Sequence, residues 1–288
     1  MAGTIARCLD SVFSQKPYEV IVVDGASTDG TSSVVDSFGA SVRHIYEDRG
    51  QGPSSAKNIG LQACAGDYVV AIDGDQWLPE DFHVTLLEVL RAATPDVVFH
   101  EEVIVTGTGF WSSCYLFERK LSYRTQIMLF SRPLHTYCEN VGSTNIRILK
   151  RTTLNSVRGW NPKFKAFEDA ELWDRLKKKI GLRYLTCRTL IIYSDETDIT
   201  PHTELNRGMF YGCGLIEFAK KYRICVFLLF PFDLALSLVI FLLAIIASIG
   251  IKRGTGILLL RSIRSFGYTV GVLKTYLRRV DSRRSILV

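Results

Sequence analysis

Residues Tyr68 to Ile72 (YVVAI) form an unbroken apolar run that stops abruptly at Asp73-Gly74-Asp75. A strand that is apolar on both faces has to be covered on both faces, the condition of a parallel sheet sandwiched between helices. The upstream sequence repeats the theme. Tyr18 to Val23 (YEVIVV) is a short β-rich run without helical period, ending in the polar turn that carries Asp24 and Asp29. Thr31 to Phe38 then reads as a helix capped by Thr31 or Asp29, Val42 to Tyr46 as a strand and Ala56 to Ala65 as a second helix. Downstream, a helix is expected from Pro79 to Arg91 and a strand from Val97 to Val105. The alternation specifies an α/β fold with a mostly parallel sheet and helices on both faces. Thr106 to Glu139 is dense in aromatic residues, most of which are read as packing for a subdomain.

In open α/β sheets ligands bind beyond the carboxyl ends of the strands, where Asp24, Asp29, Asp73 and Asp75 all fall. Turn chemistry accounts for Asp24 or Asp29 taken singly, because strand ends need turns. Asp73 and Asp75 call for more. An Asp-x-Asp just past a buried strand aims two hard carboxylates into a cleft, where they can hold a divalent cation (Mg²⁺ or Mn²⁺) against a diphosphate. A second acidic pair, Glu168-Asp169, opens a helix far downstream. Alone it would only complement the helix dipole, with Glu171 and Asp174 behind it on a solvated face. Beside the Asp-x-Asp it supplies a carboxylate able to act as a base.

The chain has 288 residues, of which 47% are hydrophobic, ample for a core. The formal charge of +6 is concentrated beyond Ile251, where nine Lys and Arg residues face Asp281 alone. That basic tail follows Cys225 to Gly250, an apolar stretch long enough to cross a bilayer and interrupted only by Asp233. Anionic lipid headgroups are therefore the expected partner of the tail, and nucleic acid is not. Gly256 to Tyr276 is apolar but broken by Arg261, Arg264, Gly267 and Gly271. It makes a poor lone span, and a hairpin or an interfacial second helix keeps the arginine-rich tail on the cytoplasmic side. The division expected is a catalytic domain over residues 1–222 and a membrane-associated helical segment over 223–288. Seven scattered cysteines with no CxxC pair, and no cleavable N-terminal signal, place the catalytic domain in a reducing cytoplasm at the cell membrane.

Taken in order, VIVVDGASTDGT (Val20 to Thr31), GQGPSSAKNIGLQACAGDYVVAIDGD (Gly50 to Asp75), LPEDF (Leu78 to Phe82) and NIRILKRTTLNSVRGWNPKFKAFEDAELWDRLKKKIG (Asn145 to Gly181) resemble glycosyltransferase family 2. The resemblance implies the GT-A fold, a nucleotide-sugar donor, a divalent metal and inversion at the anomeric carbon. By position, it places Asp24 at the nucleotide base and Lys57 near the nucleotide, where members usually carry Arg. It assigns Asp73 and Asp75 to the metal and donor, Asp169 to the general base, and Glu168 to positioning the base or the acceptor. Arg175, one turn along the same helix, is expected to reach toward phosphate, with an ion pair to Glu171 as the ordinary alternative. Related folds often recruit a late histidine as metal ligand, which makes His202 a candidate.

Members of the family begin with a strand of the VSVIIPTYN type, whereas here Met1-Ala2-Gly3-Thr4-Ile5 already falls in what corresponds to the following helix. The neighbours of such a strand are expected to show unpaired edges. The function expected is inverting transfer of a sugar to a lipid-linked or cell-envelope glycan acceptor. The alternatives are a polyprenyl-phosphate sugar synthase and a catalytically inactive member acting as a membrane-bound partner.

Overall fold

The computed structural model describes residues 2–47, 51–119, 146–222 and 251–284, with side chains to residue 277 in the last segment. These fall into two units. The first draws on Met1–Val105, Leu134–Lys163 and Glu168–Asp195, the second on Thr106–Pro133, Phe164–Phe167 and Glu196–Val288.

In the first unit, α1 (Ala2–Ser14) packs Ile5, Cys8 and Leu9 against Val35 of α2 (Thr31–Asp36) and against Val42. Strands β1 (Ile21–Asp24) and β2 (Arg43–Tyr46) pair in parallel, Ile21 opposite Arg43 and Asp24 opposite Tyr46. Helix α3 (Pro53–Ala63) starts earlier than the expected Ala56. Gly52 at φ 99 turns the chain, and Pro53 supplies a fixed φ at a position whose N–H has no intrahelical acceptor.

The remaining strands are β3 (Tyr68–Val70), β4 (Gln76–Trp77), β5 (Val97–Thr106), β6 (Ile148–Lys150) and β7 (Tyr184–Glu196). Helices α4 (Phe82–Ala93), α6 (Arg151–Ser156) and α7 (Glu168–Leu176) also belong to this unit. The strands form a second sheet in the order β3-β6-β5-β7-β4. The expectation of a mostly parallel sheet is corrected here: β3–β6, β5–β6 and β4–β7 are antiparallel, so the fold is mixed. The two-sided apolar character of 68–72 correctly announced burial, but direction depends on a partner strand some eighty positions later, which no local pattern encodes.

Among the described residues, β1 and β3 lie in different sheets and each has one edge without a ladder partner. Apolar packing links them instead, with Val22 and Ile72 both resting on the α1 cluster. The main core joins Val97, Phe99, Ile146, Leu149, Leu154, Trp160, Leu172, Trp173 and Leu176. Burying each such side chain contributes about 1.5–3 kcal/mol. This core clamps α6 and α7 to the sheet and so sets where α7 begins.

The second unit contains a helix over 110–119 (α5), α8 (Pro201–Tyr222) and α9 (Ile251–Arg284). Helices α8 and α9 run side by side in the same direction, Gly208 meeting Arg264 and Gly212 meeting Tyr268. A Cβ on Gly212 would stand 2.3 Å from the Tyr268 carbonyl oxygen and one on Gly271 2.3 Å from that of Met209, so the contact is backbone on backbone. Buried Glu118 and Glu204 and half-buried Glu196 are met by Arg261, Arg264 and Arg207. The apolar run Cys225–Gly250, the expected first span, lies outside the described residues. By length and composition alone, Lys252–Leu277 is long and apolar enough to cross a membrane.

Candidate functional site

Helix α7 delivers the second acidic pair. The chain enters it through Phe167 at φ 62, a left-handed conformation that a bulky residue adopts at a cost of roughly 1–2 kcal/mol. The first turn then presents Glu168, Asp169 and Glu171 to the positive end of the helix dipole. Asp169 is buried and Glu168 nearly so.

Lys57, on α3, reaches both. Its Nζ donates to Glu168 Oε1 at 2.9 Å and to Asp169 Oδ1 at 3.1 Å. Burial works against its charge, and the two carboxylates outweigh that penalty and hold the ammonium above the usual lysine range. Trp160 Nε1–H donates to the same Asp169 oxygen at 3.0 Å. Two donors therefore converge on Oδ1 and hold the carboxylate in place. Trp160 is itself held by a fork from Asn58, which accepts the Trp160 N–H at 2.8 Å and donates to its carbonyl at 2.7 Å. The fork needs Gly159, at φ 64, because a Cβ there would sit 2.3 Å from Asn58 Oδ1.

Asp73 follows β3, and its carboxylate is about half exposed. Beneath it lies Arg147, 4% exposed, donating to Asp73 Oδ2 at 2.6 Å. Burial would raise the Asp73 pKa, but the charges of Arg147 and Lys57 prevail and lower it. Arg147 also feels Asp169, so the two cations link the acid after β3 to the acid on α7. Two further Arg147 nitrogens, Nε and Nη1, and both ring nitrogens of neighbouring His100 are buried without hydrogen-bond partners. Burial, reinforced by Arg147, pushes the His100 pKa down to about 3, so the ring is neutral.

The structure thus brings Lys57, Asp73, Glu168 and Asp169 into one cluster. Two residues after Asp73, the backbone carbonyl of Asp75 anchors the loop by accepting the Asp195 N–H at 2.8 Å. Asp24 is 4% exposed at the end of β1, its carboxylate taking the Ser27 N–H at 2.9 Å and the Ser32 hydroxyl. Burial raises its pKa, and those hydrogen bonds more than reverse the effect. Arg175 commits its guanidinium internally, to Glu171 at 2.9 Å and to the carbonyls of Val157 and Gly159 at 2.5 and 2.7 Å. It staples α7 to the loop before it. His202 lies on α8 in the second unit, 3.0 Å from Asn206 Nδ2. Arg147, Trp160, Asn58 and His100 went unread in the sequence. Asn58, Arg147 and Trp160 lie inside the family-like segments, whereas His100 lies outside them.

A divalent ion held against a diphosphate takes only one or two carboxylates from the protein and the rest of its ligands from phosphate and water. Asp73, with one carboxylate oxygen bonded to Arg147 and its side chain about half exposed, has donor chemistry suited to such an ion. Among the described residues no three His, Cys, Asp or Glu side chains group as a complete protein cage.

The profile of the family described as "Glycosyl transferase family 2" matches residues 2–149. The chain belongs to this family. Glycosyltransferase AglE of Haloferax volcanii is 36% identical over 89 residues, 27% of this chain and 29% of that protein. A PGL/p-HBAD biosynthesis glycosyltransferase of Mycobacterium bovis is 27% identical over 157 residues, 51% of this chain and 60% of its own. The matched part spans between 14% and 60% of the length of such curated relatives of this family 2 chain. Among solved structures, the mannosyltransferase PcManGT of Pyrobaculum calidifontis, in complex with GDP-Man and Mn²⁺, superposes with a TM-score of 0.51 at 22% identity, over 77% of this chain and 61% of that one. S. aureus TarS 1-349 with UDP gives 0.50 at 16% identity, over 96% and 88%. Both likenesses support a GT-A-like fold.

Proposed function

We propose that this family 2 chain is an inverting glycosyltransferase that moves a sugar from a nucleotide-sugar donor to a hydroxyl of a lipid-linked or cell-envelope glycan, with Asp169 as general base. The observation that carries the reading is the convergence of Asp73 and Asp169 on the shared cations Lys57 and Arg147. A base must be aimed as well as basic. Lys57 and Trp160 converge on Oδ1 and direct Oδ2 at the acceptor hydroxyl, whose proton it takes as the oxygen attacks the anomeric carbon. Glu168 shares Lys57 and holds the ammonium in place. Asp73 and Asp75 would hold Mg²⁺ or Mn²⁺, which when bound supplies positive charge against the developing diphosphate. Asp24, with its carboxylate preset by Ser27 and Ser32, is assigned to the nucleotide base. The GDP-Man and Mn²⁺ held by PcManGT and the UDP held by TarS 1-349 support a nucleotide-sugar donor and a divalent ion.

A polyprenyl-phosphate sugar synthase is the second reading, in which an anionic acceptor would have to compete with Asp73, Glu168 and Asp169 for Lys57 and Arg147. A phosphate nucleophile needs no strong base. The deciding experiment supplies UDP-, GDP- and dTDP-sugars with Mn²⁺ or Mg²⁺ to wild type and Asp169→Asn. Loss of transfer with donor binding retained supports the base, and near-normal turnover overturns it.

A further inference from the structure

We infer that the outward face of α9 is a lipid-contacting face, held against the acyl region of an anionic membrane. Leu259, Ile263, Phe266, Val270, Leu273 and Leu277 recur at steps of four and three residues, which places them on one narrow stripe of a helix. Four of the six are open to solvent: Leu259 46%, Phe266 61%, Leu273 54% and Leu277 58%. Exposed apolar residues scattered singly need no explanation, but a contiguous stripe of large ones does.

The charges of α9 are sorted to match. Arg261 and Arg264, which interrupt the apolar sequence, turn to the opposite face and pair with Glu118 of α5 and Glu204 of α8 at 2.5 Å. Gly267 and Gly271 share that face, against the α8 backbone. From Gly254 to Leu273 the open face therefore presents no charge. Exposed Lys252 and Arg253 stand at one end and exposed Lys274 at the other. At 1.5 Å per residue, Lys252 and Lys274 are about 33 Å apart along the axis. An uncharged stripe bracketed by cations, on a helix whose other side is occupied by protein, is the layout of a helix that faces lipid with its cations at anionic headgroups. A second copy of the chain fits less well. Positions flanking the stripe, Ser262 and Thr269, offer no charge pairs of the kind that register paired helices in water.

The test uses the full chain reconstituted in bilayers of phosphatidylcholine with phosphatidylglycerol, carrying a benzophenone amino acid in place of Leu259, Phe266 or Leu273. Irradiation is expected to add the mass of one phospholipid at all three positions. Lys252→Glu combined with Lys274→Glu is expected to lower that yield at least threefold, with the melting temperature unchanged. Adducts joining two chains, adducts within one chain, or no adduct at all would each overturn the inference. A yield indifferent to the charge reversals or to phosphatidylglycerol would overturn its anionic part. None of these outcomes bears on the sugar-transfer reading, which concerns the first unit.

Discussion

Two groups of buried charge, one in each unit, differ in how they are closed. In the second unit three acids and three arginines share one network, Arg207 meeting Glu196 and Glu204, Arg264 meeting Glu204 and Glu118, and Arg261 meeting Glu118, and the side chains of Glu118, Glu204 and Arg261 are all below 10% exposed. In the first unit Lys57 and Arg147 serve three carboxylates, Asp73, Glu168 and Asp169, and the Asp73 carboxylate stands about half in solvent. The balanced group has the form of a fastening, since desolvation is costly and every charge is answered. The unbalanced group retains carboxylate charge and, at Asp73, an exposed carboxylate, the kind of imbalance that marks candidate functional sites.

Removing the aimed carboxylate breaks the comparison most directly. Asp169→Asn keeps the size of the side chain and an oxygen for Lys57 and Trp160, but cannot accept a proton from the acceptor. Turnover is expected to fall about a thousandfold, within the range for general bases, while calorimetry shows the affinity for nucleoside diphosphate changing by less than about threefold. A fall in affinity as large as the fall in turnover would make Asp169 a binding residue.

Arginine deletions in the two groups sharpen the contrast. Arg261→Met removes the 2.5 Å partner of buried Glu118 and leaves it the longer 3.5 Å contact to Arg264, an expected cost of about 3 kcal/mol in denaturant unfolding, with turnover of the folded fraction unchanged. Arg147→Met leaves Asp73 able to reach water, so its stability cost is expected to be nearer 1–2 kcal/mol. Its larger effect is on donor and metal affinity, which Arg147→Lys restores in part. If Arg147→Met proved as costly to stability as Arg261→Met and neutral for affinity, the first group would be a fastening as well.

How much of this could be read from the chain divides along the same line. The acids were legible because Asp-x-Asp after an apolar strand and Glu-Asp at a helix start are local patterns. The cations were not. Lys57 was placed by its match to the family pattern. Arg147 lies in Asn145-Ile146-Arg147-Ile148, where alternation marks a strand but cannot say that the guanidinium lies under a carboxylate from another strand. The strand–helix alternation was legible and the mixed sheet direction was not, since β6 inserts beside β3 from far along the chain. Gly267 and Gly271 read as interruptions of an apolar segment, and only the partner glycines of α8 turn them into a contact surface.

That contact surface predicts the next largest effect. Gly212→Ala places a methyl group where the Tyr268 carbonyl now is, and backbone cannot rotate aside as a side chain can. The helices must separate, at an expected cost of about 1–3 kcal/mol, visible as a lowered melting temperature. The Arg264–Glu204 pair should loosen with it. An unchanged melting temperature would mean that α8 and α9 are not in backbone contact in solution, and the argument for the orientation of the α9 stripe would fall with it.

The smallest effect concerns pH and falls in the first unit. His100 is buried, and desolvation together with Arg147 lowers its pKa to about 3, against a weaker opposing pull from Asp169. The unfolded chain takes up a proton near pH 6.5, and the folded chain does not until about pH 3. Between those values the unfolded state binds more protons, so stability falls as pH falls, with a slope of at most about 1.4 kcal/mol per pH unit. His100→Gln removes the titration without adding a charge beside Arg147. The wild type is expected to lose about 1.5–2 kcal/mol more than His100→Gln between pH 7 and pH 5 in denaturant unfolding. Parallel pH profiles would show that His100 takes up its proton inside the fold, which is incompatible with a closed interior beneath Asp73 and would place water or a ligand against the free nitrogens of Arg147.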